Sequence, residues 1–302
     1  MLRPPRLKDG DRVGVVTPSR KVDEQALRKG CALIETWGLK VELGKHAVSA
    51  ENKYLAAADE ARLADLQQML DREDIDAIFC ARGGYGMTRI VDHLNFDQLK
   101  RKPKWIVGFS DITALHLKLA IAAIESIHGC MPVQYSKEQY KDSIESVRKI
   151  LFDQESENIK AGYFSQNRMG EAHGQVIGGN LSLIVDAIGT TSSPEGKGKI
   201  LILEEIDEPL YKIDRMLTQM KRAGLFENLA GLVIGHLTDL KDTDLPFGQS
   251  VRDLILDKIS TRTFPVAFGF PIGHEAPNMA WRHGGIASLR VDEEGSNLDF
   301  SY

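Results

Sequence analysis

The sequence has few cysteines and no long apolar segment. Cys31, Cys80 and Cys130 are an odd number without Cys-x-x-Cys spacing, which argues against a disulfide framework and a thiolate zinc site, so we expect packing roles for them. No stretch of about 18 apolar residues occurs, and the first residues lack the continuous apolar region of a secretion signal. We therefore expect no membrane span and a cytoplasmic protein.

The sequence also lacks a block of like charge. Its 38 basic and 43 acidic residues give a formal net charge of -5 without a long run of either sign, so neither a nucleic-acid-binding surface nor a polybasic membrane anchor is indicated. The 42% of hydrophobic and 27% of charged residues exclude collagen-like and mostly disordered chains. A chain of 302 residues is expected to form two domains, with a small molecule or peptide as partner.

Strand-like and helix-like segments alternate along residues 1–133, which predicts an N-terminal α/β domain with a doubly wound, flavodoxin-like parallel sheet. Ligands of such a sheet gather at the carboxyl ends of its strands. This rule selects the loops at residues 17–19, 82–86 and 110. The predicted strands are 11–16, 39–43, 75–80, 105–109 and one that includes 127–128, and the predicted helices are 23–36, 58–71 and 110–122.

A polar stretch separates this domain from a second one. Residues 134–170, with a helix at 143–151, are predicted to be a linker, and residues 171–302 a smaller C-terminal α/β domain. The predicted strands of this second domain are 171–177, 199–204, 231–236, 265–269 and 286–291, and its predicted helices are 180–187, 209–223 and 250–259.

The segment WIVGFSDITALH runs from an apolar strand directly into Ser110, which starts a helix. A tight turn of this kind exposes a serine hydroxyl at the sheet edge, and the backbone N–H of Asp111 would point at an oxyanion formed there. The alternative is that Ser110 only caps its helix. The Gly-x-Ser-x-Gly form of the motif is absent, because Ile112 stands at the second glycine position.

A serine nucleophile needs a base and a group that orients the base. His274 lies in a loop rich in proline and glycine just after the strand VAFGF, where reactive side chains are often displayed. Glu204 follows four apolar residues at the end of a strand, a position at which a carboxylate calls for a partner. The alternatives are an unremarkable loop histidine and a solvated strand end, with Glu205 and Asp207 as rivals of Glu204.

The glycine-rich segment 82–86 also follows a strand and precedes a helix. Its small residues let the backbone approach a ligand, so Gly83 and Gly84 are candidates for a second oxyanion donor, and Arg82 for the contact with a substrate carboxylate. A phosphate is the other ligand that suits the turn. The Gly-x-Gly-x-x-Gly and Walker signatures are missing, which leaves a nucleotide site poorly supported.

Taken together, these segments resemble the LD-carboxypeptidase family, which includes the murein tetrapeptide carboxypeptidases and the microcin self-immunity peptidases. The resembling segments follow the family's order over nearly the whole chain: LKDGDRVGVVTPS, ARGGYGMTRI, VGFSDITALH, VIGGNLSLI, LILEEIDEPLYKIDRML and FGFPIGHEAPN. The resemblance implies a Ser-Glu-His triad of Ser110, Glu204 and His274, with an active site between the domains. It implies no cofactor and no metal ion, and a homodimer.

The implied activity is removal of terminal D-alanine from a cytoplasmic murein tetrapeptide during cell-wall peptide recycling. The third substrate residue, meso-diaminopimelate or L-lysine, stays open. Asn180 in the GGN segment could contact peptide amides or only cap its helix. Two departures from the family pattern leave questions: Glu204 is followed by Glu205 where relatives have Asp, and His283 stands in a stretch that differs from the family, where a structural role is favoured over a pocket role.

Two other functions compete with this interpretation. The first is cleavage of a peptidyl-nucleotide, as in the microcin branch, for which Trp281 could supply an aromatic clamp. The second is a non-catalytic module of two domains that binds a small ligand in a cleft. The missing export signal weighs against this second alternative.

Overall fold

Apolar runs bounded by turn residues form the strands, and segments with apolar residues at helical spacing form the helices. The computed structural model describes residues 1–48, 53–152 and 158–300. In chain order its elements are β1 (Arg12–Val16), α1 (Glu24–Glu35), β2 (Lys40–Leu43), α2 (Asp59–Asp71), β3 (Ala77–Cys80), α3 (Asp97–Arg101), β4 (Trp105–Gly108), α4 (Thr113–Ile121), β5 (Ser126–His128), α5 (Lys141–Phe152), β6 (Asn158–Ala161), β7 (Gly170–Asn180), α6 (Leu181–Ala187), β8 (Lys199–Ile206), α7 (Leu210–Arg222), β9 (Gly231–Thr238), α8 (Val251–Lys258), β10 (Val266–Ala267), β11 (Trp281–His283), β12 (Ile286–Val291) and β13 (Ser296–Phe300). Short 3-10 helices cover Met87–Arg89, Val91–His93, Ser110–Ile112, Pro132–Gln134 and Glu138–Tyr140.

The chain forms two units. The first consists of Met1–Glu155 and Pro277–Gly284. Its sheet has the strand order β11-β5-β4-β3-β1-β2, in which β1 to β5 are parallel and β11 is antiparallel to β5. Every residue of β3 and β4 is buried, as a parallel sheet covered on both faces requires. This order confirms the predicted flavodoxin-like α/β fold.

Helix α1 shows how local sequence fixes an element of the first unit. The side chain of Asp23 accepts a hydrogen bond from the Ala26 N–H at 2.7 Å, which caps the first turn. Leu27, Cys31 and Ile34 follow at helical spacing and are buried in the core on one face of the sheet. Burial of a leucine of this kind stabilises the fold by about 1.5–3 kcal/mol.

All three cysteines of the chain are buried and free of disulfide bonds.

The second unit consists of Ser156–Ala276 and Gly285–Tyr302. Its mixed sheet has the order β10-β9-β8-β7-β12-β13-β6. Strands β7, β8, β9 and β10 are parallel, whereas β12, β13 and β6 are antiparallel to their neighbours. The parallel strands place their carboxyl ends at one edge of the sheet. In the described residues, no helix of either unit combines the length and hydropathy that crossing a membrane demands.

The structure divides the chain differently from the boundaries predicted for the domains, 1–133 and 171–302, and for the linker, 134–170. Helix α5 buries Ile144, Val147 and Ile150 in the core of the first unit. The polar composition of this stretch therefore reflects the exposed face of a packed helix. At the other end of the stretch, β6 and β7 are strands of the second sheet.

A short return segment explains the other difference. Residues 277–284 leave the second unit to add β11 to the first sheet, where Trp281 lies opposite His128 and His283 opposite Ser126. Trp281 and His283 are fully buried. The His283 ring stacks on His116 with centroids 5.5 Å apart. A three-residue strand that follows a loop has too little periodicity to be recognised in a sequence.

Candidate active site

Ser110 occupies a strained turn at the carboxyl end of β4. Phe109 is fully extended, and Ser110 has φ = 63°, in the left-handed region that non-glycine residues rarely adopt. The chain then forms a 3-10 turn before α4 begins at Thr113. This geometry matches the sharp strand-to-helix turn that displays a nucleophile, and it goes beyond what helix capping alone requires.

The glycine turn lies against Ser110. A Cβ placed on Gly83 would lie 3.1 Å from the Ser110 Cβ and 3.3 Å from the Asp111 backbone nitrogen, so only glycine fits without displacement. Gly84 has φ = 107°, which also favours glycine. The structure therefore brings Ser110, Asp111, Gly83 and Gly84 together within the first unit.

The Asp111 carboxylate has a second role that the sequence did not reveal. Its Oδ2 accepts hydrogen bonds from the Ser19 hydroxyl at 2.6 Å and the Met87 N–H at 2.8 Å. Asp111 is 1% exposed, so these bonds lie in a protected environment. The residue after the serine therefore ties together the loops that follow β1 and β3.

Arg62 on α2 braces the same two loops from a fully buried position. Its Nη1 donates to the carbonyl oxygens of Pro18 and Gly86, the latter at 3.0 Å, and its Nη2 binds Asp59. Sequence reasoning missed Arg62, because an arginine in an amphipathic helix is ordinarily a solvated residue. Only the long-range contact with Gly86 reveals its function in holding the loop.

In the second unit, the structure pairs His274 with Glu204. The Nδ1 of His274 lies 2.7 Å from the Glu204 Oε2, and Glu204 is fully buried. Burial by itself lowers the pKa of His274, but the charge and hydrogen bond of Glu204, with the charge of Glu205, outweigh it, so the pKa is raised. A proton on Nδ1 leaves Nε2 available as a base.

Local backbone irregularities place this pair. Opposite Glu204, β9 contains an extra residue, because Leu203 pairs with Ile234 but Glu205 pairs with Leu237. Gly273 has φ = 125°, and a Cβ on it would lie 2.9 Å from the Glu204 Oε2. The bulge and the glycine let the loop that carries His274 approach the strand that carries Glu204.

Glu205 has different partners from Glu204. Its Oε1 accepts from the Asn180 Nδ2 at 2.8 Å, and its Oε2 accepts from the Ser182 N–H at 2.8 Å and hydroxyl at 2.6 Å. Burial raises the pKa of Glu205, and these hydrogen bonds oppose the rise. Between the two neighbouring acids, Glu204 is therefore the one in contact with His274.

Asn180 caps α6, the second of the two roles considered for it. Its Oδ1 accepts from the Leu183 N–H at 3.3 Å while its Nδ2 binds Glu205. Its contact with a peptide substrate stays a prediction.

His236 was not singled out in the sequence, yet it lies beside the Glu204–His274 pair. Its Nδ1 accepts from the Glu275 N–H at 3.2 Å, and a Cβ on Gly273 would lie 3.2 Å from the His236 Cβ. Burial lowers the pKa of His236.

Arg82 projects from the glycine turn of the first unit. It is half-buried, and its Nη1 donates to the Lys21 carbonyl oxygen at 3.3 Å. Burial, and to a smaller extent the charge of Arg20, lowers the pKa of Arg82.

No group of three or more His, Cys, Asp or Glu residues suited to a metal ion occurs within residues 1–48, 53–152 and 158–300.

Comparisons with known proteins agree on one family. Residues 13–129 match the LD-carboxypeptidase N-terminal domain and residues 173–289 match the LD-carboxypeptidase C-terminal domain. The chain is 32% identical to the probable murein peptide carboxypeptidase of Bacillus subtilis strain 168, over 98% of this chain and 94% of that protein.

Solved structures show the same fold. The muramoyltetrapeptide carboxypeptidase from Oxalobacter formigenes matches with a TM-score of 0.86 and 25% identity, over 96% of this chain and 99% of that one. A mutant of the microcin C7 self-immunity protein in complex with adenosine monophosphate matches with a TM-score of 0.87 and 20% identity, over 100% of this chain and 99% of that one. At this lower identity the second likeness concerns the fold alone.

Proposed function

The chain belongs to the LD-carboxypeptidase family, and from this we propose that it is a serine carboxypeptidase that removes terminal D-alanine from a murein tetrapeptide. The observation that carries the proposal is the buried Glu204–His274 pair at 2.7 Å. A fully buried carboxylate beside an imidazole favours the protonated form of histidine that proton abstraction from a serine creates.

In the proposed mechanism, Ser110, His274 and Glu204 act as a triad. The Nε2 of His274 takes the Ser110 hydroxyl proton as the Oγ attacks the carbonyl carbon that precedes the terminal D-alanine. Glu204 holds the Nδ1 proton and stabilises the imidazolium. The mechanism requires that Ser110 of the first unit meet His274 of the second during turnover.

The tetrahedral oxyanion would accept hydrogen bonds from the Asp111 N–H and from an N–H of the Gly83–Gly84 turn. The strained Ser110 turn and the close approach of Gly83 support this assignment, because a Cβ on Gly83 would lie within 3.3 Å of both the Ser110 Cβ and the Asp111 backbone nitrogen. His274 then protonates the amine of the leaving D-alanine, and water, deprotonated by His274, releases the peptide from Ser110. Arg82 binds the terminal carboxylate that defines a carboxypeptidase substrate.

The remaining parts of the proposal come from the family. We assign the reaction to recycling of cell-wall peptides in the cytoplasm, and we propose a homodimer, which the elution volume in size-exclusion chromatography tests. The names of the B. subtilis and O. formigenes proteins, a murein peptide and a muramoyltetrapeptide carboxypeptidase, support the substrate class.

The structure offers the peptidyl-nucleotide alternative no support at Trp281. This side chain is fully buried in the first sheet, where its ring stacks on His128 with centroids 5.0 Å apart. A buried ring of this kind cannot clamp a nucleotide base. Trp281, the residue that the sequence suggested for the aromatic clamp, is therefore not placed to provide it.

Incubation of the purified protein with L-Ala-γ-D-Glu-meso-diaminopimelate-D-Ala tests the proposal, with free D-alanine as the readout. We expect release by the wild type and loss of release in Ser110→Ala. A wild type that releases no D-alanine refutes the recycling function, whether the chain cleaves another substrate or only binds a ligand. Unchanged release in Ser110→Ala refutes the serine mechanism and keeps the activity.

A further inference from the structure

Two arginines flank the glycine turn that touches Ser110. The Arg20 N–H donates to the Gly83 carbonyl oxygen at 3.4 Å, and its side chain packs along the turn, since a Cβ on Gly84 would lie 3.3 Å from the Arg20 Cδ. Arg82 directly precedes Gly83 and is anchored through Nη1 on the Lys21 carbonyl oxygen. The two guanidinium groups therefore belong to one short stretch of surface beside the nucleophile.

The two cations differ from the neighbouring arginines in their ion pairing. In the part of the chain that the structure describes, neither Arg20 nor Arg82 forms an ion pair, whereas Arg62 and Arg89 nearby both bind Asp59. The charge of Arg20 adds to burial in lowering the pKa of Arg82, which is the signature of like charges facing each other. Like charges held together disfavour the unliganded state and favour a bound anion.

Arg20 is also held in place before any ligand binds. Its guanidinium lies over the Tyr54 ring, 5.0 Å from the centroid, and its main chain forms a bridge with Leu55. A cation that is stacked on an aromatic ring loses less conformational entropy when it binds an anion. The arrangement is thus suited to recognition of a planar anionic group such as a carboxylate.

We propose that Arg20 and Arg82 form a subsite for two carboxylates of one peptide. This inference rests on the proposed function. Arg82, adjacent to Gly83 and hence to Ser110, binds the carboxylate of the terminal D-alanine. Arg20, whose side chain packs against Gly84, binds a carboxylate on the side chain of the residue that supplies the scissile carbonyl.

The subsite predicts which third residue the substrate carries. The side chain of meso-diaminopimelate ends in a carbon that bears both an ammonium and a carboxylate, whereas the side chain of L-lysine ends in an ammonium alone. Arg20 attracts the first and repels the second, so both the favourable and the unfavourable interaction select diaminopimelate. The choice between these two residues, which the sequence left open, is thereby assigned to one side chain.

Two tetrapeptides that differ only in the third residue, meso-diaminopimelate or L-lysine, test this assignment. For the wild type we expect kcat/KM to favour the diaminopimelate peptide by roughly tenfold, the effect of one partly exposed charge-assisted contact. Arg20→Gln should lose this preference, because cleavage of the diaminopimelate peptide slows whereas cleavage of the lysine peptide, freed of the repulsion, does not. Arg82→Gln should slow both peptides.

Arg101→Gln is the matched control, because Arg101 is an exposed arginine at the end of α3 and its loss changes the net charge equally. It should alter neither peptide. The thermal midpoint of each variant verifies that it is folded. A wild type without preference, or an Arg20→Gln variant that slows both peptides equally or neither, overturns the subsite while the carboxypeptidase function stands.

A wild type that releases D-alanine from neither peptide refutes the proposed function instead. Calorimetric binding of both peptides to Ser110→Ala, with and without Arg20→Gln, then decides the subsite. Weaker binding of the diaminopimelate peptide alone supports it. Equal changes for the two peptides, or none, overturn it.

Discussion

Replacement of Glu204 by Gln removes the charge beside His274 and keeps the side-chain shape. Two opposite charges about 4 Å apart at an effective dielectric constant of 20 attract by about 4 kcal/mol, which corresponds to a rate factor of about 10³. Because the His274 Nδ1 lies 2.7 Å from a fully buried Glu204 oxygen, we expect kcat to fall by about this factor.

The same substitution should move the acid limb of the pH profile. In the wild type the pKa of His274 is raised above its ordinary value of 6.5, so activity is lost as the pH falls through that raised pKa and His274 becomes protonated. In Glu204→Gln, burial still lowers the pKa of His274, and of the two charges that oppose this effect only that of Glu205 is left. The acid limb of kcat/KM should therefore shift to lower pH even as the maximum rate falls.

Glu205→Gln is the matched control for this experiment. Glu205 is the next residue of β8 and is also buried, but its oxygens accept hydrogen bonds from Asn180 and Ser182. We expect Glu205→Gln to lower the thermal midpoint, with a smaller loss of kcat and a smaller shift of the acid limb. The reasoning is refuted if Glu204→Gln keeps the wild-type kcat and profile, or if Glu205→Gln causes the larger change in both.

Three further predictions follow from single groups. Burial lowers the pKa of His116 to about 4, so between pH 6.5 and 4 only the unfolded chain takes up this proton. The free energy of unfolding, measured by urea titration, should therefore fall by about 3 kcal/mol over that window. An identical pH slope in His116→Asn contradicts this prediction. Asp111→Asn weakens the hydrogen bonds that Asp111 accepts from Ser19 and Met87, so kcat should fall roughly tenfold at unchanged KM. Ser19→Ala should have a smaller effect of the same kind. A raised KM at unchanged kcat argues against a role of Asp111 in holding the two loops. Gly273→Ala places a Cβ 2.9 Å from the Glu204 Oε2 at a residue with φ = 125°. The free energy of unfolding should therefore fall by about 1–3 kcal/mol, and D-alanine release should drop. A variant that unfolds and releases D-alanine like the wild type contradicts this reasoning.

Much of the fold could be predicted because buried parallel strands have a clear sequence signal. Strands β3 and β4 are short, wholly apolar and preceded by the charged residues Asp76 and Lys104, so their existence and parallel arrangement followed from alternation with helices. Strands β6 and β11 could not be predicted, since each has only three or four residues and pairs with a strand distant in sequence. Strand β13 was missed although it also pairs with β12, the strand just before it.

The site was predictable to a different extent. Ser110 and His274 follow strands, Glu204 lies near the end of one, and all three have reactive side chains, which made them candidates before any contact was known. The structure adds the pairing of Glu204 with His274. This pairing depends on a bulge in β9, which no pattern in the sequence predicts. The bracing contacts of Arg62 and Asp111 join residues up to 92 positions apart, and local sequence contains no record of such partners.

Covalent labelling of the serine measures the central claim most directly, namely that His274 activates Ser110. A fluorophosphonate reacts with a serine Oγ when a base withdraws its proton, and peptide mass spectrometry locates the adduct. We predict one adduct, on Ser110, in the wild type and its loss in His274→Ala. An unlabelled Ser110 in the wild type, or equal labelling of Ser110 without the imidazole, would contradict the claim.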